Sequence, residues 1–235
     1  MIIHTHSDPK ATAIGLIRDL LIPRLRQGVC AVAVSGGSTP KQLFELMASS
    51  EFREQIAWEN LRLYWVDERC VSPTDEQSNY GMTAKALDLE RLPLQAEHIY
   101  RIQGENAPED EAQRYTHLVQ QQLPCTASGL PIFDLVLLGI GDDGHTSSIF
   151  PHQMELLEES TPYVVAQHLS GQHRICLTGP TILQAKTLVF HAVGSGKRAI
   201  LEQIHNHSSE AKAYPSYYFV CQRSDILLYT DQTLS

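Results

Sequence analysis

An α/β fold built on a mostly parallel, helix-covered sheet is the class this sequence predicts, on three observations. Apolar runs of strand length alternate with amphipathic stretches along the chain. With 43% hydrophobic and 19% charged residues, the chain has enough apolar material to bury a sizeable core. Glycine- or charge-bearing turns follow directly on four of the predicted strands, which places those turns on one edge of the sheet. The length of 235 residues admits one or two domains. No segment reads as an interdomain linker, so residues 1–235 are expected to form a single domain.

The elements follow in order. Asp8–Arg26 carries Ile14, Ile17, Leu21 and Leu25 at helical spacing, with Ser7 as candidate N-cap and Pro9 just inside; Pro23 is expected to kink or end this helix early. Strand Val29–Val34, helix Pro40–Ser49, strand Leu61–Val66 and helix Ser78–Leu89 come next. The polar segment Gln103–Glu111, with Gly104 and Pro108, reads as a loop leading into a helix over Pro108–Leu123, and Pro124–Pro131 as a second loop. Strands are then predicted at Asp134–Gly139, Tyr163–Gln167, Arg174–Thr178, Thr187–Val193 and Tyr217–Val220, with helices at Pro180–Ala185 and Ser195–Asn206. No repeat of fixed period interrupts this alternation.

Charge and cysteine content narrow the function classes. With 18 Lys+Arg against 27 Asp+Glu the net charge is −9, a surface that repels nucleic acid and anionic membrane, so an anionic ligand needs a local site. Cys30, Cys70, Cys125, Cys176 and Cys221 are odd in number and contain no C-x-x-C pair, which suits a reduced, cytoplasmic protein. The N-terminus shows no secretory signal, and no stretch approaches the ~18 apolar residues of a membrane span. The His4/His6 and His205/His207 pairs lack Cys or carboxylate partners at ligand spacing, so no metal site is expected.

Chemistry gathers at the four turns. Ser35-Gly36-Gly37-Ser38-Thr39-Pro40 leaves a strand through small residues and enters a helix, either as a tight turn or as a cradle of backbone N–H groups for a phosphate. It lacks the G-K-[ST] ending of a nucleotide loop, so a sugar phosphate fits better than ATP. Asp67-Glu68-Arg69 is either a surface ion pair or a phosphate grip with a carboxylate to orient it or to take a sugar hydroxyl. Gly139-Ile140-Gly141-Asp142-Asp143-Gly144-His145 formally matches a dinucleotide fingerprint, yet its two carboxylates oppose a pyrophosphate and Phe150-Pro151 stops any helix. Its useful feature is Asp143 two residues before His145, either a loop-stabilising hydrogen bond or a base with its orienting acid. Lys197, after Gly194-Ser195-Gly196, and Arg174, opening a strand, are solvated cations or further phosphate contacts.

Taken in order, these motifs resemble the 6-phosphogluconolactonases within the glucosamine-6-phosphate isomerase/deaminase-like superfamily. Ser35–Pro40, Asp67–Arg69 with Ser78-Asn79-Tyr80, Gly139–Pro151, Arg174–Thr178 and Gly194–Lys197 carry the resemblance over nearly the whole chain. It implies a modified doubly wound, Rossmann-like fold with helices on both faces of the sheet, no cofactor, and hydrolysis of 6-phospho-D-glucono-1,5-lactone to 6-phosphogluconate. His145 would be the base and Asp143 its orienting partner. Gly36, Gly37, Ser38, Thr39, Arg69, Arg174 and Lys197 would hold the phosphate, with Asp67 and Asn79 as further substrate contacts. The deaminase relatives carry an acid in an N-E-P sequence soon after the histidine, where this chain has Ile149-Phe150-Pro151. A sugar-phosphate sensor of the transcription-regulator kind would need a DNA-reading helix pair and a basic surface. The expected partner is thus a sugar-phosphate lactone, not nucleic acid or membrane, on a monomer or a weak homodimer.

Overall fold

The computed structural model describes residues 1–235. Strand β1 (Ile2–Thr5), unforeseen in the sequence, precedes helix α1 (Pro9–Leu16), which continues through a π segment (Ile17–Leu21) into α2 (Ile22–Gln27). The N-cap is Asp8, not Ser7: its carboxylate accepts from the Ala11 amide at 2.8 Å, and Ser7 only donates its hydroxyl to Asp8. A carboxylate complements the helix dipole more strongly than a hydroxyl does. Pro23 does not end the helix either, because the wider π turn before it shifts the hydrogen-bond pattern and accommodates the missing N–H.

The chain then runs β2 (Cys30–Val34), α3 (Ser38–Ala48), β3 (Leu61–Trp65), β4 (Asp67–Arg69), α4 (Asn79–Leu87), β5 (Ile99–Tyr100), α5 (Pro108–Gln122), β6 (Leu135–Leu138), β7 (Tyr163–Gln167), β8 (His173–Leu177), α6 (Gly179–Leu183), β9 (Thr187–His191), α7 (Arg198–His205), α8 (Pro215–Gln222) and β10 (Leu227–Thr230). Helix α5 begins at Pro108, where the sequence places it, and it carries Glu111 into the interior. The run Tyr217–Val220, read as a strand from its aromatics, lies in α8. Pro215 presets the helical φ at its start, and Phe219 is the fully buried aromatic of its inner face.

Seven strands form one parallel sheet in the order β1-β10-β9-β6-β2-β3-β5. Every residue of β2 and of β6 is buried, as strands must be when helices flank both faces of a doubly wound sheet. From β2 the chain steps outward to β3 and β5, then returns to lay β6 on the other side of β2. Between β2 and β6 the winding reverses, and ligands of such sheets bind outside the carboxyl ends of the strands at that reversal.

Two strands read as members of this sheet are not. Tyr163–Gln167 and His173–Leu177 pair antiparallel with each other, and with β4 they form a separate sheet in the order β4-β8-β7. A short connection can only bring the chain back antiparallel, whereas a parallel neighbour needs a crossover of a dozen residues or more. One contiguous apolar core includes Trp58, Tyr64, Trp65, Phe133 and Phe190. All five cysteines are unpaired, and no helix is long and apolar enough to cross a membrane.

Candidate active site

The four segments singled out in the sequence follow β2, β3, β6 and β9, all strands of the parallel sheet, and open onto one cleft; the one after β3, read as a turn, is itself the short strand β4. Gly36, Gly37, Ser38, Thr39, Asp67, Arg69, Asn79, His145, Arg174 and Lys197 all line the cleft. Asp143 stands behind the wall and reaches the site through His145.

The glycine turn is shaped by what it must leave open. Gly37 caps α3 with φ 108°, in the region that favours glycine, and no side chain satisfies the first amides of the helix. Those amides and the positive end of the dipole therefore remain available at the cleft. At Gly36 a Cβ would fall 1.8 Å from Asn79 Oδ1, so only glycine lets this side chain lie against the turn. Asn79 in turn donates to the Asp67 backbone carbonyl at 2.9 Å and to its carboxylate at 3.2 Å.

The turn after β6 enters no helix, which removes the dinucleotide reading of its glycines. It folds back on itself instead, the Gly141 amide donating to the His145 carbonyl at 2.8 Å and the Thr146 hydroxyl to the Gly139 carbonyl at 2.8 Å. Asp143 Oδ1 lies 2.5 Å from His145 Nδ1 and also accepts from the His145 amide at 3.1 Å. Burial pushes the Asp143 carboxyl up, but the hydrogen bonds from His145 outweigh it and hold the group below its usual value. A charged Asp143 favours the tautomer that carries its proton on Nδ1, in which Nε2 is the nitrogen with the lone pair. Gly141 makes room for the ring, since a Cβ there would sit 2.1 Å from Nδ1.

The two acids after β3 divide their work. Glu68, offered by the sequence as a substrate contact, is absent from the cleft wall and caps α4. Its carboxylate accepts from the amides of Arg69, Asn79 and Tyr80 at 2.7, 2.7 and 2.8 Å and from the Ser78 hydroxyl at 3.0 Å. Burial raises its pKa, and these bonds oppose the rise. Asp67 remains in the wall, accepting from the Ser148 hydroxyl at 2.6 Å.

Arg69 and Arg174 sit directly opposite each other in the β4–β8 pair, an arrangement that like charges disfavour. The Nε atoms of both are buried without a hydrogen-bond partner, and Arg174 Nη1 comes no nearer to Asp67 than 4.0 Å. Burial and the nearby Arg69 lower the Arg174 pKa, with Asp67 opposing. Arg69 Nη1 donates to the Gln77 carbonyl, and both guanidinium groups line the cleft with donors that an anion could take up. Lys197, at the head of the turn into α7, pairs with the exposed carboxylate of Asp142. No cluster of three or more His, Cys, Asp or Glu side chains is placed to hold a metal ion.

One residue of the cleft wall escaped the sequence reading. His191, the last residue of β9, lines the cleft with neither ring nitrogen partnered, and burial pushes its pKa down to about 4 against the opposing charge of Asp231. A histidine closing an otherwise apolar strand just before a glycine turn was the available signal. Phe150, read in the sequence only as a helix stop and as a departure from the deaminases' acid, lies with its ring 5.0 Å from that of His145.

The description "Glucosamine-6-phosphate isomerases/6-phosphogluconolactonase" belongs to the family whose model matches residues 12–228. The 6-phosphogluconolactonase of Treponema pallidum is 42% identical over 203 residues, covering 86% of this chain and 83% of the relative. A crystal structure described as devB protein superposes with a TM-score of 0.89 at 36% identity, over 97% of this chain and 94% of that one. The 6-phosphogluconolactonase structure from Trypanosoma cruzi gives a TM-score of 0.80 at 26% identity, over 97% and 93%.

Proposed function

The chain belongs to the family of glucosamine-6-phosphate isomerases and 6-phosphogluconolactonases and is an enzyme of its 6-phosphogluconolactonase branch; on that premise we propose that its cleft hydrolyses 6-phospho-D-glucono-1,5-lactone with His145 as general base. The observation that carries the reading is the Asp143–His145 couple at one cleft with an uncapped helix start and two arginines whose Nε atoms have no partner. Groups able to transfer a proton and groups able to bind an anion thus line the same cleft.

In the proposed reaction the 6-phosphate rests on the turn Gly36–Thr39, with Arg69, Arg174 and Lys197 around it, while Asp67 and Asn79 contact the sugar. Anchoring the phosphate fixes the ring, so that the reacting carbon meets a positioned water. His145 Nε2 takes a proton from that water as its oxygen bonds to the lactone carbonyl carbon. The bond from this carbon to the ring oxygen then breaks, and the same proton passes from the imidazolium to the departing oxygen. Asp143 stabilises the imidazolium between the two transfers. The products are a carboxylate, whose proton goes to solvent, and a ring-opened hydroxyl.

The test is the hydrolysis of freshly generated 6-phosphogluconolactone by the purified protein, corrected for the spontaneous rate, beside glucosamine 6-phosphate as a second substrate. Acceleration of the lactone alone is expected. Turnover of glucosamine 6-phosphate without acceleration of the lactone would overturn the reading.

A further inference from the structure

Phe150 is only 2% exposed, yet it stands outside the contiguous apolar core that takes in the other large buried aromatics, Trp58, Trp65, Phe133 and Phe190 among them. Its aromatic neighbours and its cation are all polar. The ring centroid lies 5.0 Å from that of His145 at an interplanar angle of 49°, and Arg174 Cζ lies 5.4 Å from it over the ring. His152 stacks on it at 5.5 Å and 13°, and His168 meets it edge to face at 5.3 Å and 70°. Those two imidazoles are themselves tied down, His152 to the Gln167 carbonyl at 3.0 Å and His168 to the Ser170 hydroxyl at 2.9 Å. The ring is therefore clamped from the side of the small sheet and presents itself to two groups of the cleft.

We infer that Phe150 is a positioning residue: one aromatic ring, braced by His152 and His168, sets the separation between the His145 imidazole and the Arg174 guanidinium. This rests on the reading of the cleft as a sugar-phosphate lactone site, in which the distance from the reacting carbon to the phosphate is fixed by the substrate and must be matched by the protein. A flat face suits both neighbours, because imidazole and guanidinium are planar and a guanidinium is attracted to the π face. Arg174 needs such support, since its Nε has no partner and Asp67 is 4.0 Å away. His145 is tethered by Asp143 through one nitrogen only, which leaves the tilt of its ring to packing. An aliphatic side chain would fill the space without orienting either group.

The experiment compares Phe150→Leu and Phe150→Tyr in the full chain, alone and combined with His145→Ala or Arg174→Met, reading lactone turnover and the binding of 6-phosphogluconate and of inorganic phosphate. Phe150→Leu is expected to lower kcat about tenfold and to weaken 6-phosphogluconate binding several-fold, with Phe150→Tyr restoring most of both. In the Arg174→Met background the binding loss should vanish, and in the His145→Ala background the turnover loss should vanish, because each effect passes through the removed group. Full losses persisting in both double variants, or a Phe150→Leu protein with wild-type kcat and affinity, would overturn the inference. If the wild-type protein fails to hydrolyse the lactone, the proposed function fails, and phosphate binding by Phe150→Leu beside Arg174→Met still reads the arginine contact by itself.

Discussion

Glu111 on α5 and the arginine pair Arg69 and Arg174 both carry charge into the interior, and the molecule treats the two places differently. The Glu111 carboxylate, 1% exposed, accepts from Arg114 at 2.7 and 2.6 Å, from the Gln103 amide at 2.7 Å and from the Asn106 side chain at 3.1 Å. Both of its oxygens are fully used. At the other place two guanidinium groups face each other across a strand pair, each with an Nε lacking any partner, and a carboxylate stands 4.0 Å off. A satisfied buried cluster belongs to the architecture, because it completes itself; an unsatisfied one costs stability and points to a ligand that completes it.

The largest effect that sharpens this contrast is on stability. Glu111→Ala should cost about 3 kcal/mol and lower Tm by roughly 10 °C, because it leaves Arg114 and two further donors without their acceptor, while activity per folded molecule stays near wild type. Calorimetry and specific activity check both halves. Arg174→Met should do the reverse, weakening 6-phosphogluconate binding about 10- to 100-fold while the unliganded Tm stays level or rises. A Tm loss as large as that of Glu111→Ala would break the comparison. Gly141→Ala should lower kcat about tenfold with affinity almost unchanged, because its Cβ would push the His145 ring out of place; steady-state kinetics separate the two parameters.

The smallest effect is on acid stability. The folded Asp143 carboxyl titrates below its unfolded value. Its contribution is therefore fully present above the unfolded value and lost as the pH falls through the folded one, below about pH 4. A series of Tm measurements against pH should show a shallower acid slope for Asp143→Asn, and an unchanged slope would contradict the depressed value.

The parts of the fold that were legible in the sequence are those where local pattern and burial agree. The central strands are continuous apolar runs, and Cys30–Val34, Leu61–Trp65, Leu135–Leu138 and Thr187–His191 fall within a few residues of where the runs predict them. Strands β1, β4, β5 and β10 went unseen, β4 because its charged Asp67-Glu68-Arg69 reads as a turn. β1 and β5 are short edge strands with little burial pattern of their own, and β10 owes its place to pairing with β1 and β9. Tyr217–Val220 misled because aromatics favour strands, a preference that Pro215 and the packing of Phe219 override. At the cleft, glycine turns and charged residues after strands announced themselves, since each follows an apolar run. Phe150 and His191 did not, because what distinguishes them is the company they keep in space.

The most direct test of the account is lactone turnover by His145→Ala beside wild type at saturating substrate, with 6-phosphogluconate binding measured on the same preparations. The account predicts a kcat lower by about 10²- to 10⁴-fold and an affinity within about threefold of wild type, since the proposed base is removed and the proposed anion site is left intact. Turnover near the wild-type value in a folded, ligand-binding His145→Ala protein would contradict it.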